Sequence, residues 1–525
     1  MIKMTDNLDI DQSCDAQGRL QSGSSLSTRA AWILFAKVVA FALTFFLPLL
    51  LVRRLSQHEF GLYKQVFLVV GTAITMLPLG FGMSAYYFLP RERERQSHIV
   101  LNILLFYIFV AGAACLALLL SPSLLEAIFN SSELVRYAPL IGAVIVLWVL
   151  SSFLDIVAVA NQEPKLASLF IIASQATKSF LLLGAAVAFG TVRALIYAAI
   201  IQGIVQLLIL FFYLRSRFAH FWRSFNLTVM REQLSYALPL GFAGLLYSMQ
   251  MDVHNYFVSN RFGPAAYAVY AIGCFQLPLV GILSEAVCSV MIPRVSYLQK
   301  HGRNREIVLL SARVMRKLSL VYFPLHAFLI VAGREFITFL FTSQYQASWP
   351  IFAVNITMIP FGIIVLDPIM RAYAEQRYFL LRVRMFLIGA LLIALWFGTE
   401  RFGLVGTISI VVATALVERA VTAIKMWRVI GVTRRDIALL KDVGKVAVAT
   451  IAAAAIAAII RSSILYTTPF IVLIVSGVAF SLAYLASLLL LGVMTQEERS
   501  VIRQKLARLR WSPKRAATPL AEGDY

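Results

Sequence analysis

The sequence predicts an all-α polytopic membrane protein, two six-helix lobes followed by two C-terminal helices. Three observations carry the prediction: apolar content, the length of the apolar runs and the placement of the cations. Apolar residues make up 60% of the 525-residue chain and charged residues 14%. Mean hydropathy is +0.80, more than a water-soluble fold accommodates within its surface-to-volume limits. Apolar stretches of about 20 residues recur from Ala30 to about residue 492, and about 20 residues rising 1.5 Å each match a hydrocarbon core of about 30 Å. They read as about fourteen helices, at 30–52, 66–89, 99–120, 137–160, 166–189, 192–214, 234–259, 265–292, 318–342, 349–370, 379–399, 402–427, 445–463 and 467–492. Helices are expected because each satisfies its own backbone hydrogen bonds, and the runs are too long and too uniformly apolar for barrel strands.

The first 29 residues are polar and mixed in charge, with no basic stretch leading into a short apolar core and cleavage site, so no cleaved signal peptide is expected. Cys14, Cys115, Cys274 and Cys288 are scattered, in a spacing that suggests neither a disulfide framework nor a metal site. The net charge of +21 raises nucleic acid as a partner, and the location of the cations argues against it. With the amino terminus inside, cytoplasmic turns hold "RERER" (91–95), Arg215, Arg217 and Arg223, "KHGRNR" (300–305), "RVMRK" (313–317), "RVIGVTRR" (428–435) and the tail "RQKLARLRWSPKR" (503–515). About 35 of the 47 Lys and Arg fall on that side, the asymmetry of the positive-inside rule, which places both termini in the cytoplasm. The tail stretch "EERSVIRQKLARLRW" has apolar residues at helical spacing beside its cations. It reads either as a helix lying on an anionic leaflet or as a solvated topology anchor.

An internal repeat organises the chain. "RLSQHEFGLY" (54–63) aligns without a gap on "RFGPAAYAVY" (261–270), pairing Arg54 with Arg261, Phe60 with Tyr267 and Tyr63 with Tyr270. Each segment is expected in the first external turn of a six-helix unit, which suggests two lobes related by an axis along the membrane normal. The domains are then a cytoplasmic tail (1–29), an N-lobe (30–214), a basic linker (215–233), a C-lobe (234–430), a loop with two more helices (431–492) and a basic tail (493–525). Pro48, Pro78, Pro239, Pro278, Pro324, Pro360 and Pro368 all fall well inside expected spans, where they are either ordinary bends or hinges beside a pathway.

Ionisable residues inside the spans are the candidate site. The cations are Lys37, Lys178, Arg334 and Arg419; the acids are Asp155, Asp252, Glu285, Asp367 and Glu418, with Glu335 beside Arg334. Each disfavours insertion by roughly 2.5–3.5 kcal/mol at a helix centre, so a set this large is expected to face a polar, hydrated interior. Cations lining a cavity suit an anionic ligand such as a diphosphate, and carboxylates there can exchange a proton as access changes. A plainer reading stands beside each: snorkelling for Lys37, the interface for Asp155, and structural links between helices for the Arg334–Glu335 and Glu418–Arg419 neighbours.

The cation in the first helix, the stretch "RLSQHEFGLYKQVFLVV" and the second-lobe stretch "MDVHNYFVSNRFGPAAYAVYAIG" together resemble the Wzx-type polysaccharide flippases. Their superfamily also contains multidrug and toxic compound extruders and the lipid II flippase. The resemblance covers roughly residues 30 to 430 and rests on layout more than on invariant signatures. It implies alternating access between lobes, a central cationic cavity to which Lys37 and Asp252 contribute, and movement of a polyprenyl-diphosphate-linked glycan across the bacterial inner membrane. It also implies no cofactor, H⁺ or Na⁺ as coupling ion, and a polymerase and co-polymerase as partners. A lipid II flippase and a multidrug extruder are the alternatives within the superfamily, the latter opposed by Lys37 and Lys178. A polysaccharide polymerase or ligase is the enzymatic alternative, and it usually carries a larger external loop than "SPSLLEAIFNSSELVRY" (121–137).

Overall fold

The computed structural model describes residues 26–218, 220–464 and 468–493, and every regular element among them is helical. The first half holds α1 (Leu26–Leu51), α2 (Gln57–Met76), α3 (Ser84–Phe88), α4 (Gln96–Leu120), α5 (Ser123–Phe129), α6 (Ser132–Ser151), α7 (Phe153–Ala160), α8 (Pro164–Ala188) and α9 (Val192–Arg217). The second holds α10 (Leu227–Gly273), α11 (Pro278–Lys300), α12 (Asn304–Phe341), α13 (Trp349–Asn355), α14 (Met358–Phe361), α15 (Asp367–Ala372), α16 (Arg377–Ile430), α17 (Lys441–Ser463) and α18 (Pro469–Leu490). Large apolar side chains such as Phe109, Phe180, Phe386, Phe397 and Leu490 stand exposed on helix faces, which water would penalise and acyl chains would cover.

Nine helices among the described residues are long and apolar enough to cross a membrane, ten if α2 and the Phe81–Phe88 segment, bent by 45°, form one span. Against the expectation of about fourteen, the differences have local causes. Gly403 (φ 64, ψ −161) breaks the 54-residue α16 into two helical runs, a conformation only glycine adopts without strain. Gly263 (φ 75, ψ −179) breaks α10 in the same way. α10 also fails on hydropathy because it carries Gln250, Asp252, His254, Asn255 and Asn260, of which Gln250 meets Glu418 on α16 and Asn260 meets the Ala127 and Ile128 carbonyls on α5.

The expected turn covers only the start of each repeated segment: residues 54–56 lie in the turn after α1 and 57–63 in α2, while 261–270 lie in α10 around its break at Gly263. Ser56 caps α2 by accepting a hydrogen bond from Glu59 N at 3.2 Å, which starts the helix nine residues before the apolar run at 66. In the second segment the break at Gly263 stands where Ser56 does, and Pro264 opens the next helical run where Gln57 opens α2. Phe60, Tyr63, Tyr267 and Tyr270 are all buried. Pro278, expected inside a span, instead opens α11 after a break at 274–277, in the first helical turn where no donor is lost. Pro368 likewise opens the short α15.

Candidate functional site

Two helix pairs join the first half of the chain to the second, and they are built differently. α2 packs along α10 with almost no gap. A Cβ on Gly61 would lie 1.9 Å from the Pro264 carbonyl oxygen, and one on Gly241 would lie 1.8 Å from the Leu79 carbonyl oxygen, so the backbones touch at both ends. Between these contacts Gln65 Nε2 donates to Ser259 Oγ at 2.7 Å, and the Tyr256 hydroxyl donates to Thr72 Oγ1 at 2.7 Å. Beyond Gly241, Gln233 donates to Ser84 Oγ at 3.2 Å, Asn102 to the Asn226 carbonyl at 3.0 Å, and Tyr87 stacks on Tyr236 at 4.7 Å. α1 and α11 meet far more loosely. Lys37 Nζ stands 3.8 Å from Glu285 Oε1, with the two side chains 59% and 78% exposed, so this ion pair is solvated and weak. Gly281 on α11 has open space where a Cβ would be. α1 rests instead on α8, where Thr44 Oγ1 and Gln175 Oε1 are 3.3 Å apart.

Of the nine candidate charges, the structure joins two to each other, Lys37 and Glu285. The rest are distributed. Lys178, half-buried on α8, places its ammonium 4.2 Å from the centre of the Trp148 ring, and Trp148 Nε1 is fixed by the Ala199 carbonyl at 3.0 Å. Asp155 lies half-buried on α7, next to the break at Ser152. Asp252 accepts from Ser248 Oγ at 3.3 Å, one turn before Tyr256 on the face that meets α2. Asp367 is exposed and pairs with Arg371 at 2.8 Å within α15. Glu418 is only 16% exposed and is bound by Arg384 at 3.0 Å and by Gln250 Nε2 at 2.5 Å, which ties α10 to both runs of α16. Arg419 points elsewhere and makes no ion pair or hydrogen bond among the described residues. Arg334 faces the Gln346 side-chain amide, whose oxygen accepts from it with the amide turned over, and Glu335 pairs with Arg461 of α17 at 2.8 Å. Glu335 and Glu418 thus each meet an arginine more distant in sequence than their neighbours.

Sequence reading missed Lys64, Arg384 and Arg461. Lys64 is half-buried on α2 with its ammonium 5.5 Å from the Phe60 ring centre, and Phe60, Tyr63, Phe67 and Trp148 form an aromatic chain between it and Lys178. The signal was present: the spacing Ser56-x-x-Glu59 marks a helix start and brings Lys64 into the helix. The basic tail after residue 493 lies outside the described residues.

A bundle of this kind, with apolar faces outside and helices long enough to cross a membrane, is that of a polytopic membrane protein. It is similar to the lipid II flippase MurJ in an inward closed conformation, with a TM-score of 0.66 and 14% identity over 90% of this chain and 100% of that one. It is also similar to a MATE-family multidrug resistance transporter of the MOP superfamily in an inward-facing conformation, with a TM-score of 0.56 and 15% identity over 75% of this chain and 98% of that one. The MATE transporter VcmN of Vibrio cholerae is a third likeness, with a TM-score of 0.52 and 15% identity over 78% and 98% of the two chains. At such identities the likeness establishes the shared fold. The polysaccharide biosynthesis protein family matches residues 50–350, more than half the chain, and the protein belongs to that family. No curated protein matches the sequence.

Proposed function

We propose that the protein is a flippase that carries a polyprenyl-diphosphate-linked oligosaccharide from the cytoplasmic to the outer leaflet of the bacterial inner membrane, for synthesis of a surface or exported polysaccharide, O-antigen or exopolysaccharide. Membership of the polysaccharide biosynthesis family, joined to a transporter fold, is the observation that carries this reading. Two six-helix lobes, 30–214 and 234–430, would exchange access by rocking about the close contact of α2 with α10. The weakly held α1–α11 pair is then the side that opens, since little free energy opposes parting Lys37 from Glu285. The glycan and diphosphate cannot cross hydrocarbon bare, whereas a groove between the lobes shields them while the polyprenyl tail stays among acyl chains.

In this scheme Lys37, Lys178 and the newly recognised Lys64 receive the diphosphate, and Asp252 is the carboxylate best placed to couple to H⁺ or Na⁺, because it lies one turn from Tyr256 at the α2 contact and, like Asp155, has no cationic partner within ion-pair distance among the described residues. Glu335 and Glu418, already matched by arginines, hold helices together. Both termini are cytoplasmic, and a polymerase with its co-polymerase takes the product.

The test is a deletion strain complemented with the wild-type chain or with Lys37→Ala/Lys178→Ala. Loss of the gene should leave lipid-linked repeat units on the cytoplasmic leaflet and remove the surface polymer, and the double variant should insert normally without restoring it. Full polymer synthesis by the double variant would eliminate both lysines from the mechanism. A strain that keeps its polymer but loses cell-wall precursor transport would identify lipid II as the substrate instead.

A further inference from the structure

Away from the central seams, a second charged site lies between α12, α17 and the turn at Ser343–Ser348. It belongs to the end of the bundle that holds the α1–α2 turn, because Arg53 there donates to the Phe339 carbonyl at 2.9 Å and Gln57 to the Gln344 carbonyl at 2.5 Å. Two adjoining cavities of about 570 and 470 Å³ share Arg334, Gln346 and Arg461. Arg334 faces the Gln346 side-chain amide, and Arg461, in the last turn of α17, is oriented by Glu335 Oε1 through Nε at 3.1 Å and Nη2 at 2.8 Å. Both guanidiniums keep donors for a further acceptor. Glu335 Oε2 is buried without a hydrogen-bond partner, an acceptor whose neglect is costly unless a donor reaches it.

The cavity continues into apolar surface. Ile330 and Val331 line it one helical turn before Arg334, towards the middle of α12, and Trp349 and Pro350 form the opposite wall. Trp349 sits there because residue 333 is glycine: a Cβ at Gly333 would lie 2.0 Å from the indole. An anionic head and an apolar strip one turn deeper describe the outline of a lipid at a membrane boundary. The charge count sharpens this. Arg334 and Arg461 against Glu335 leave one net positive charge, which a singly charged phosphodiester balances and a diphosphate does not.

We propose that this site holds a phosphodiester lipid, with the phosphate on Arg334 and Arg461 and its chain along Ile330, Val331 and Trp349. Such a lipid would join α17 to α12 beyond the Glu335–Arg461 pair. The site shares no residue with the Lys37, Lys64 and Lys178 set, and the proposal does not depend on the flippase reading.

Native mass spectrometry of the purified full-length chain tests it, with phosphatidylethanolamine, phosphatidylglycerol and undecaprenyl diphosphate supplied at equal concentration. The wild type should retain one phosphodiester lipid in preference to the diphosphate. Arg334→Gln should weaken retention about tenfold or more, as loss of a charge-assisted contact does, and Arg193→Gln, which removes a cation at the start of α9, should leave it unchanged. Equal retention by the wild type and Arg334→Gln overturns the proposal, as does preference for undecaprenyl diphosphate. Displacement of the lipid by free glycerol phosphate at the same concentration would overturn a lipid as the occupant.

Discussion

The α2–α10 and α1–α11 contacts join the same two halves of the chain and differ in almost every physical respect. One is backbone against backbone, with glycines where any side chain would collide and buried hydrogen bonds between. The other is a solvated ion pair at 3.8 Å between long, exposed side chains. Close packing fixes a geometry because small displacements lose many contacts at once, whereas a solvated pair opposes separation by about 1 kcal/mol or less. A hinge and a mouth require those opposite properties.

The largest test of this contrast is covalent. With the four native cysteines replaced, joining Lys37→Cys to Glu285→Cys by a flexible bis-maleimide should stop lipid transport in proteoliposomes. Joining Thr72→Cys to Tyr256→Cys should leave more than half of it. Equal inhibition by the two links would mean that neither contact is a hinge.

Next come the glycines. Gly61→Ala and Gly241→Ala force a methyl into backbone and should each destabilise the protein by about 3 kcal/mol, the upper range of overpacking, read as a lowered melting temperature in detergent. Gly281→Ala on the open side should change it by less than about 0.5 kcal/mol, because nothing lies within 4 Å of the added carbon. A smaller loss, about 1–2 kcal/mol, is expected for Gln65→Leu, which leaves the Ser259 hydroxyl buried without its partner. Lys37→Met should also cost little stability, below about 1 kcal/mol, and most of that should vanish in 0.5 M salt. Its transport defect should nonetheless be large if Lys37 meets the substrate.

The helical class was legible because hydropathy reports burial in lipid residue by residue, and the repeat was legible because its two copies start helices in the same register, Ser56 with Gly263 and Gln57 with Pro264. The start of α2 was misplaced because an apolar average is blind to the polar cap at Ser56. The charged residues were readable as a set, but their partners were not. Glu418 lies beside Arg419 in sequence and binds Arg384 in space; Glu335 lies beside Arg334 and binds Arg461. Neighbours on a helix point about 100° apart, so pairing is decided by which other helix arrives, and one sequence alone does not hold that information.

The ring beneath Lys178 gives the protein a consequence open to direct observation. An indole's emission responds to a charge near its face, and the ammonium rests 4.2 Å from the Trp148 ring centre. In a chain whose other six tryptophans are replaced by phenylalanine, an anion that draws the ammonium away should change the colour and yield of that single fluorophore, so that arrival of cargo at the lysine becomes visible without any attached dye.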